Sequence, residues 1–341
     1  MLDFPLDATA RICPRFMPNY ASMFYVGLRR YVRSDRIVYD REGFSQERLR
    51  QLRGFSLTVR AGGLEKRLHY DLHDPKECDQ KMLEWCDVYA KVNVDWSVIP
   101  EDLRHKVIPV GPTFGVRIWD AHETLRQAWT TLRALGPYPP RLQLGHLQLY
   151  RLQMDRGFED WYSPGPTDPN YIFFTAWAWA KHTEVNPPRA EFVRIAQSTP
   201  GLEFDGGFAP RRRGKLPNLK DVTAPSKFRF YDYLTRMKRS CVAFNTPAVH
   251  QCLGWKMGEF LALGKATISL PLSGVVPEPL VHGEHMHFVS GEPQETREAI
   301  AKLRTDHAYR RKLERNARDY YERLLSPPAM VGRVLRFAGW T

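Results

Sequence analysis

The sequence has no apolar run approaching the roughly 20 residues that a membrane-spanning helix needs, which argues against a helical membrane protein. Its opening residues, MLDFPLDATARICPRF, have neither the basic start nor the apolar core of a secretory signal. Both absences point to a cytoplasmic location. Cysteine is scarce: Cys13, Cys78, Cys86, Cys241 and Cys252 are odd in number and scattered, and they form neither a disulfide framework nor a CxxC zinc pattern. A reducing compartment fits that usage. Concentrated basic modules are also missing. The net charge of +12 favours an anionic partner, either nucleic acid, an acidic membrane surface or a phosphorylated substrate. No recognisable nucleic-acid-binding module accompanies it.

The remainder is an ordinary globular composition, 43% hydrophobic, 26% charged and 12% aromatic, over 341 residues, enough for two domains of about 150 residues each. Strand-like and helix-like segments alternate along both halves, which predicts an α/β protein with mainly parallel sheets. The densest cluster of breakers, SPGPTDPN at 163–170, marks the linker. The expected domains are 1–165 and 166–326, with a last helix in 327–341 packing back toward the first.

In the first half, a helix over 18–32 ends in Arg29, Arg30, Arg33 and Arg36, which either complement the helix dipole or meet phospholipid head groups or an anionic acceptor. Segment 67–73, RLHYDLH, alternates with period two, placing His69, Asp71 and His73 on one strand face. That face is either a polar outer surface or a general-base site in which the imidazoles tune Asp71.

In the second half, 171–175 (YIFFT) reads as a buried strand, and the loop APRRRGKLPNLK carries Arg211, Arg212, Arg213, Lys215 and Lys220. This loop is a solvated surface or a phosphate clamp. Residues 241–270 read as strand, loop, helix (253–263) and strand, with Gly264 as the helix stop. Gly254 leaves the N–H groups of the helix start open to an anion. Glu259 lies too deep to cap the helix; it is either a solvated glutamate or an acceptor for the vicinal hydroxyls of a sugar.

The segments SCVAFNTP (240–247), GWKMGEFLALGK (254–265), HGEHMHFV (282–289) and ARDYYERLLSP (317–327), in this order, resemble the donor-binding domain of the GT-B glycosyltransferases. The resemblance implies two Rossmann-like domains facing across a cleft, a nucleotide-sugar donor, and transfer of the sugar to a glycan or lipid-linked saccharide without a metal or other cofactor. It implies surface polysaccharide or glycoconjugate assembly, with peripheral contact at an anionic membrane and no nucleic acid. By this resemblance Glu259 binds ribose hydroxyls, the loop from Asn245 to Gly254 holds the diphosphate, and Lys181, Arg212, Lys215, Lys256 and His285 complete the donor site. Many retaining members carry a glutamate eight residues before the helix glutamate; here that position is Gln251. If the enzyme inverts, Asp71 helped by His73, with Asp40 in reserve, would serve as base. A competing expectation is a hydrolase with a metal held by His282, His285 and His287. Another is a basic nucleic-acid binder.

Overall fold

The computed structural model describes residues 4–45, 48–50, 52, 54–136, 140–211 and 216–341. It divides into two compact α/β units. One comprises Met1–Trp161, Gly274–Pro277 and Arg323–Thr341; the other comprises Tyr162–Ser273 and Glu278–Glu322.

The first unit begins with β1 (Thr9–Ile12), α1 (Pro18–Tyr31), β2 (Ile37–Tyr39), β3 (Phe55–Ala61) and β4 (Leu64–Asp71). It continues with α2 (Gln80–Trp85), β5 (Val88–Lys91), β6 (Val107–Pro109), α3 (Ala121–Leu135) and α4 (Pro140–Leu152). The six strands form one sheet in the order β2-β1-β3-β4-β5-β6. β1 and β2 are parallel, as are β4, β5 and β6, but β3 runs antiparallel to both its neighbours. The cause is local. Gly62 and Gly63, at φ 54° and 79°, make a two-residue turn between Ala61 and Leu64 that only an antiparallel hairpin can use. The alternation over 67–73 predicts strand character for β4, whereas β3, before the Gly-Gly turn, is an addition to the expected strands.

In the second unit β7 (Tyr171–Ala176), α5 (Asn186–Ser198), β8 (Glu203–Phe208), α6 (Phe230–Arg239) and β9 (Ala243–Asn245) are followed by α7 (Trp255–Ala262), β10 (Thr267–Ser269), β11 (His287–Phe288), α8 (Pro293–Thr305) and α9 (His307–Tyr320). Every strand pairing here is parallel. β7 pairs with β8, and β9 and β11 flank β10. The two sheets meet where Cys241 N–H donates to the Tyr171 carbonyl at 2.9 Å and the buried Ser240 Oγ accepts from Phe173 N–H at 2.9 Å. Read across, the order is β8-β7-β9-β10-β11, and it reverses between β7 and β9. Such a reversal leaves a crevice at the strands' carboxyl ends, the usual ligand position in sheets of this kind. Ile172, Phe174, Phe192, Phe244 and Ile268 form the core beneath α5 and α8, with Phe192 stacked on Phe244 at 4.2 Å.

The chain ends in α10 (Pro327–Phe337), which belongs to the first unit and packs on α1. The Tyr31 hydroxyl donates to the Pro328 carbonyl at 2.8 Å, and a Cβ on Gly27 would fall 2.1 Å from the Pro327 oxygen. Only glycine permits that approach. Among the described residues no helix is long and apolar enough to cross a membrane.

Candidate functional site

In the first unit, Asp71 and Lys91 end β4 and β5 as cross-strand partners. Both are buried, at 1% and 0% exposure. Asp71 Oδ2 accepts from Lys91 Nζ and from the Tyr89 hydroxyl, each at 2.7 Å, while Oδ1 accepts from His73 N–H at 3.0 Å. Burial alone would raise the Asp71 pKa, but the charges of Lys91, His73 and His69 together hold it below the ordinary carboxylate value. Beside this pair, buried Arg48 donates to Ser56 Oγ at 2.6 Å, and that hydroxyl shares a 2.7 Å bond with His69 Nδ1. Burial pulls His69 down to about 3.

This geometry corrects the sequence expectation. The polar face of β4 is neither a solvated surface nor an open base site, because Asp71 has both oxygens committed to its own unit. His73 contributes its backbone N–H and lies with Nδ1 3.3 Å from Asp71. Asp40 follows β2 and pairs with Arg11 at 3.2 Å. Three strand positions separate β2 from β4, about 14 Å at ordinary strand spacing, so Asp40 and Asp71 do not form one centre.

The second unit gathers a different cluster at its strand reversal. Arg189, in the first turn of α5, donates from Nε to Thr246 Oγ1 just past β9, at 2.8 Å. This bond joins the β7–α5 side of the crevice to the β9–α7 side. Burial lowers Arg189 to about 10, and among the described residues no carboxylate pairs with it. Above it the rings of His182 and His250 approach to 5.4 Å across the same crevice. His250 and Gln251 both hold φ of 58°, a left-handed conformation that costs non-glycine residues about 1–2 kcal/mol each. Strain of this kind is often kept at ligand-binding loops.

Beside the crevice runs an open groove of about 770 Å³, lined by Trp177, Trp179, Lys181, His182, Arg211 and Lys227. The two tryptophans are 55% and 42% exposed, and Lys227 Nζ lies 4.6 Å over the Trp177 ring. Arg211 donates to the Ala178 carbonyl at 2.6 Å, which ties the β8 end to the β7 loop. Three cations and two tryptophans thus line this groove, and His182 lies 3.6 Å from Glu184.

Lys181 lies in the loop after β7 and lines the groove. Arg212 and Lys215 lie outside the described residues. Gly254 is the N-cap of α7, but a Cβ there would make only an ordinary 3.4 Å contact with Ala248, so the missing side chain is not a steric requirement. Asn245 is corrected: its side chain is buried and donates to Ser269 Oγ at 2.9 Å, bracing β9 against β10. Glu259 is buried rather than solvated; it accepts from the Tyr233 hydroxyl at 2.5 Å, and Lys256 Nζ lies 3.8 Å away.

His285 is also corrected. It occupies the tight turn entering β11, against Tyr320 of α9 at 5.5 Å, so its parallel strand puts it toward the amino edge, away from the loop after β9. The three-histidine metal site does not assemble. His285 Nδ1 accepts from Val281 N–H, His282 Nδ1 accepts from Phe288 N–H, and His287 Nδ1 bonds the Tyr309 hydroxyl. Among the described residues no group of three His, Cys, Asp or Glu side chains is placed to hold a metal ion.

The expected site does not include Arg189, His182, Trp177, Trp179, Lys227 or Tyr233, whereas Thr246 falls within the expected loop from Asn245 to Gly254. The composition of WAWAKH, directly after a buried strand, was the available signal for three of them, Trp177, Trp179 and His182. Arg189 and Thr246 are 57 residues apart, and only folding joins them.

No family model and no curated protein matches the chain. Among solved structures it is similar to TarM, with a TM-score of 0.44 and 7% identity over 75% of this chain and 44% of that one. It is similar to a glycosyltransferase from Rickettsia africae ESF-5, at 0.43 and 12% over 77% and 67%. For Anabaena Alr3699/HepE in complex with UDP-glucose the values are 0.39 and 11% over 75% and 80%. The chain thus spans less than half the length of TarM, and likenesses this remote carry no information about chemistry.

Proposed function

We propose that the second unit binds the nucleotide of a nucleotide-sugar and that the protein is a GT-B glycosyltransferase, moving the sugar to a glycan or lipid-linked acceptor. The observation that carries this reading is Arg189, which pairs with no carboxylate among the described residues and is bonded across the strand reversal to Thr246, with Lys181, Lys227 and exposed tryptophans alongside. Phosphate suits the guanidinium and the lysines, and a nucleobase suits the tryptophan faces. Glycosyl transfer breaks a sugar–phosphate bond and leaves charge on the departing phosphate. Fixed cations in a partly desolvated crevice stabilise that charge as it develops, so the reaction needs no resident metal. Surface polysaccharide or glycoconjugate assembly at the cytoplasmic face of a membrane is the setting this reading favours.

Thermal unfolding with a panel of nucleoside mono- and diphosphates tests the donor assignment. A binding nucleotide at about 100 times its Kd stabilises the fold by about 2.7 kcal/mol. A melting temperature unmoved by every nucleotide would refute the assignment.

A further inference from the structure

In the first unit, α3 and α4 pack together with part of their polarity reversed. The seam between them is polar: Thr131 Oγ1 shares a 2.8 Å bond with buried His146 Nε2, and Gln153 Nε2, just past α4, donates to Thr124 Oγ1 at 2.8 Å. These bonds join positions 131 to 146 and 124 to 153, so the two helices run antiparallel. Trp129 therefore stands level with Gln148, with Leu144 and Leu152 one helical turn to either side. Helical spacing alone would put Leu125 and Trp129 in one stripe with Ala128 and Leu132. The fold buries Ala128 and Leu132 but leaves Leu125 67% and Trp129 54% exposed, and Leu144, Leu147 and Leu152 of α4 are exposed as well, Leu144 at 64%. Large apolar side chains gathered in this way on one helix pair mark an interaction surface.

The charge among them is positive. Arg126, Arg133 and Arg151 are exposed, and Arg133 lies 5.0 Å over the Trp129 ring. Glu123 is the one acid in the sequence of α3 and α4, and Arg126 holds both its oxygens, at 2.6 and 2.7 Å. The charge of Arg29, on α1, acts on the same carboxylate. A second copy of this face would set arginines against arginines. Leucine and tryptophan mixed with arginine match the boundary of an anionic bilayer, where apolar side chains enter the acyl edge and guanidiniums stay at the phosphates. We infer that the outer face of α3 and α4 rests on the head groups of an anionic membrane. The inference rests on the membrane setting of the proposed function and names the surface that makes the contact; it uses no donor-site residue. It also moves that contact away from the end of α1, where Arg33 pairs with Asp35 at 3.1 Å and Arg36 donates to the Leu6 carbonyl at 2.7 Å.

Co-sedimentation of the full chain with vesicles of phosphatidylcholine, alone or mixed with phosphatidylglycerol, tests this without any nucleotide. The native protein should bind the mixed vesicles better than the neutral ones and leave them as salt is raised. Trp129→Ala combined with Leu144→Ala should weaken that binding about ten-fold. Arg133→Ser and Arg151→Ser should each cost about five-fold. All four side chains are exposed, so the melting temperature should hold. Arg30→Ser combined with Arg33→Ser, at the end of α1, should cost less than either helix-pair change; a larger loss there overturns the inference. Native binding that persists undiminished in the helix-pair variants discards this surface and keeps the membrane setting, whereas native protein that ignores the mixed vesicles discards both. A native dimer in sedimentation velocity that Trp129→Ala with Leu144→Ala dissolves would give the face to a second copy and overturn the inference too.

Discussion

Each unit places charged side chains at the carboxyl ends of parallel strands, and the two clusters are built to opposite rules. In the first, Asp71 and Lys91 face each other directly, both are buried, and neighbouring hydrogen bonds complete the carboxylate. In the second, Arg189, Lys181, Arg211 and Lys227 lie around a crevice and groove, and the tryptophans remain exposed. A buried charge balanced within its own unit is a structural element, and removing one partner strands the other. A part-buried guanidinium such as Arg189, which meets no carboxylate among the described residues, suits an anion. On the proposed reading, the first cluster serves stability and the second binds the ligand.

The largest expected effect tests the first half of that contrast. Asp71→Asn leaves Lys91 buried without its counter-charge and should cost about 3–5 kcal/mol in urea unfolding, with nucleotide affinity of the folded protein unchanged. Native stability together with lost turnover would restore Asp71 as a base and dissolve the contrast. Acid should act on the same cluster. His69 has a folded pKa of about 3 against an ordinary 6.5, so below about pH 6.5 the unfolded chain takes up a proton that the fold refuses. Stability should therefore fall by about 1.4 kcal/mol per pH unit between about pH 6.5 and 3 from this group alone. The depressed Asp71 carboxyl contributes stability that is present above its ordinary value of 3.8 and lost as pH falls through its folded pKa. His69→Gln should flatten the upper part of the profile; an unaltered slope would show that His69 is not its source.

On the second cluster, Arg189→Met should weaken nucleoside diphosphate binding about 10- to 100-fold by calorimetry, the range for hydrogen bonds to a charged group. An unchanged Kd would leave the guanidinium a brace between α5 and the β9 loop. Trp177→Ala should cost about 2- to 10-fold for a nucleotide and nothing for inorganic phosphate; equal losses for both would mean the indole supports the loop rather than the base. The smallest effect is expected at the strained turn. His250→Gly should raise stability by about 0.5–1 kcal/mol, since glycine tolerates φ of 58° but gives back part of the gain as chain entropy.

The alternation of strands and helices was legible because period and breakers are local properties. β7 and the β9–α7–β10 turn follow from them directly. What each polar face meets was not legible. The two-residue period put His69 and Asp71 on one face of β4, but whether water or Lys91 covered that face depends on β5, twenty residues away. Helical spacing leaves Glu259 open as a solvated glutamate or an acceptor for sugar hydroxyls; its actual cover comes from Tyr233 on another helix. Asn245 and His285 were chosen for their place in a family pattern, and each is instead committed to local bracing, to Ser269 and to the turn at Val281. The β3–β4 hairpin goes unassigned in that reading although two glycines flanked by strand-forming residues specify it.

The most direct test of the contrast is where a nucleotide attaches. Irradiation of the protein with a photoreactive azido-nucleoside diphosphate, followed by mass-spectrometric mapping, should give label in peptides spanning 177–189 and 246–256, abolished by excess unmodified nucleotide and reduced in Arg189→Met. Saturable label confined to the peptides around Asp71 and Lys91, or label that excess nucleotide does not displace, would contradict the assignment of ligand binding to the second unit.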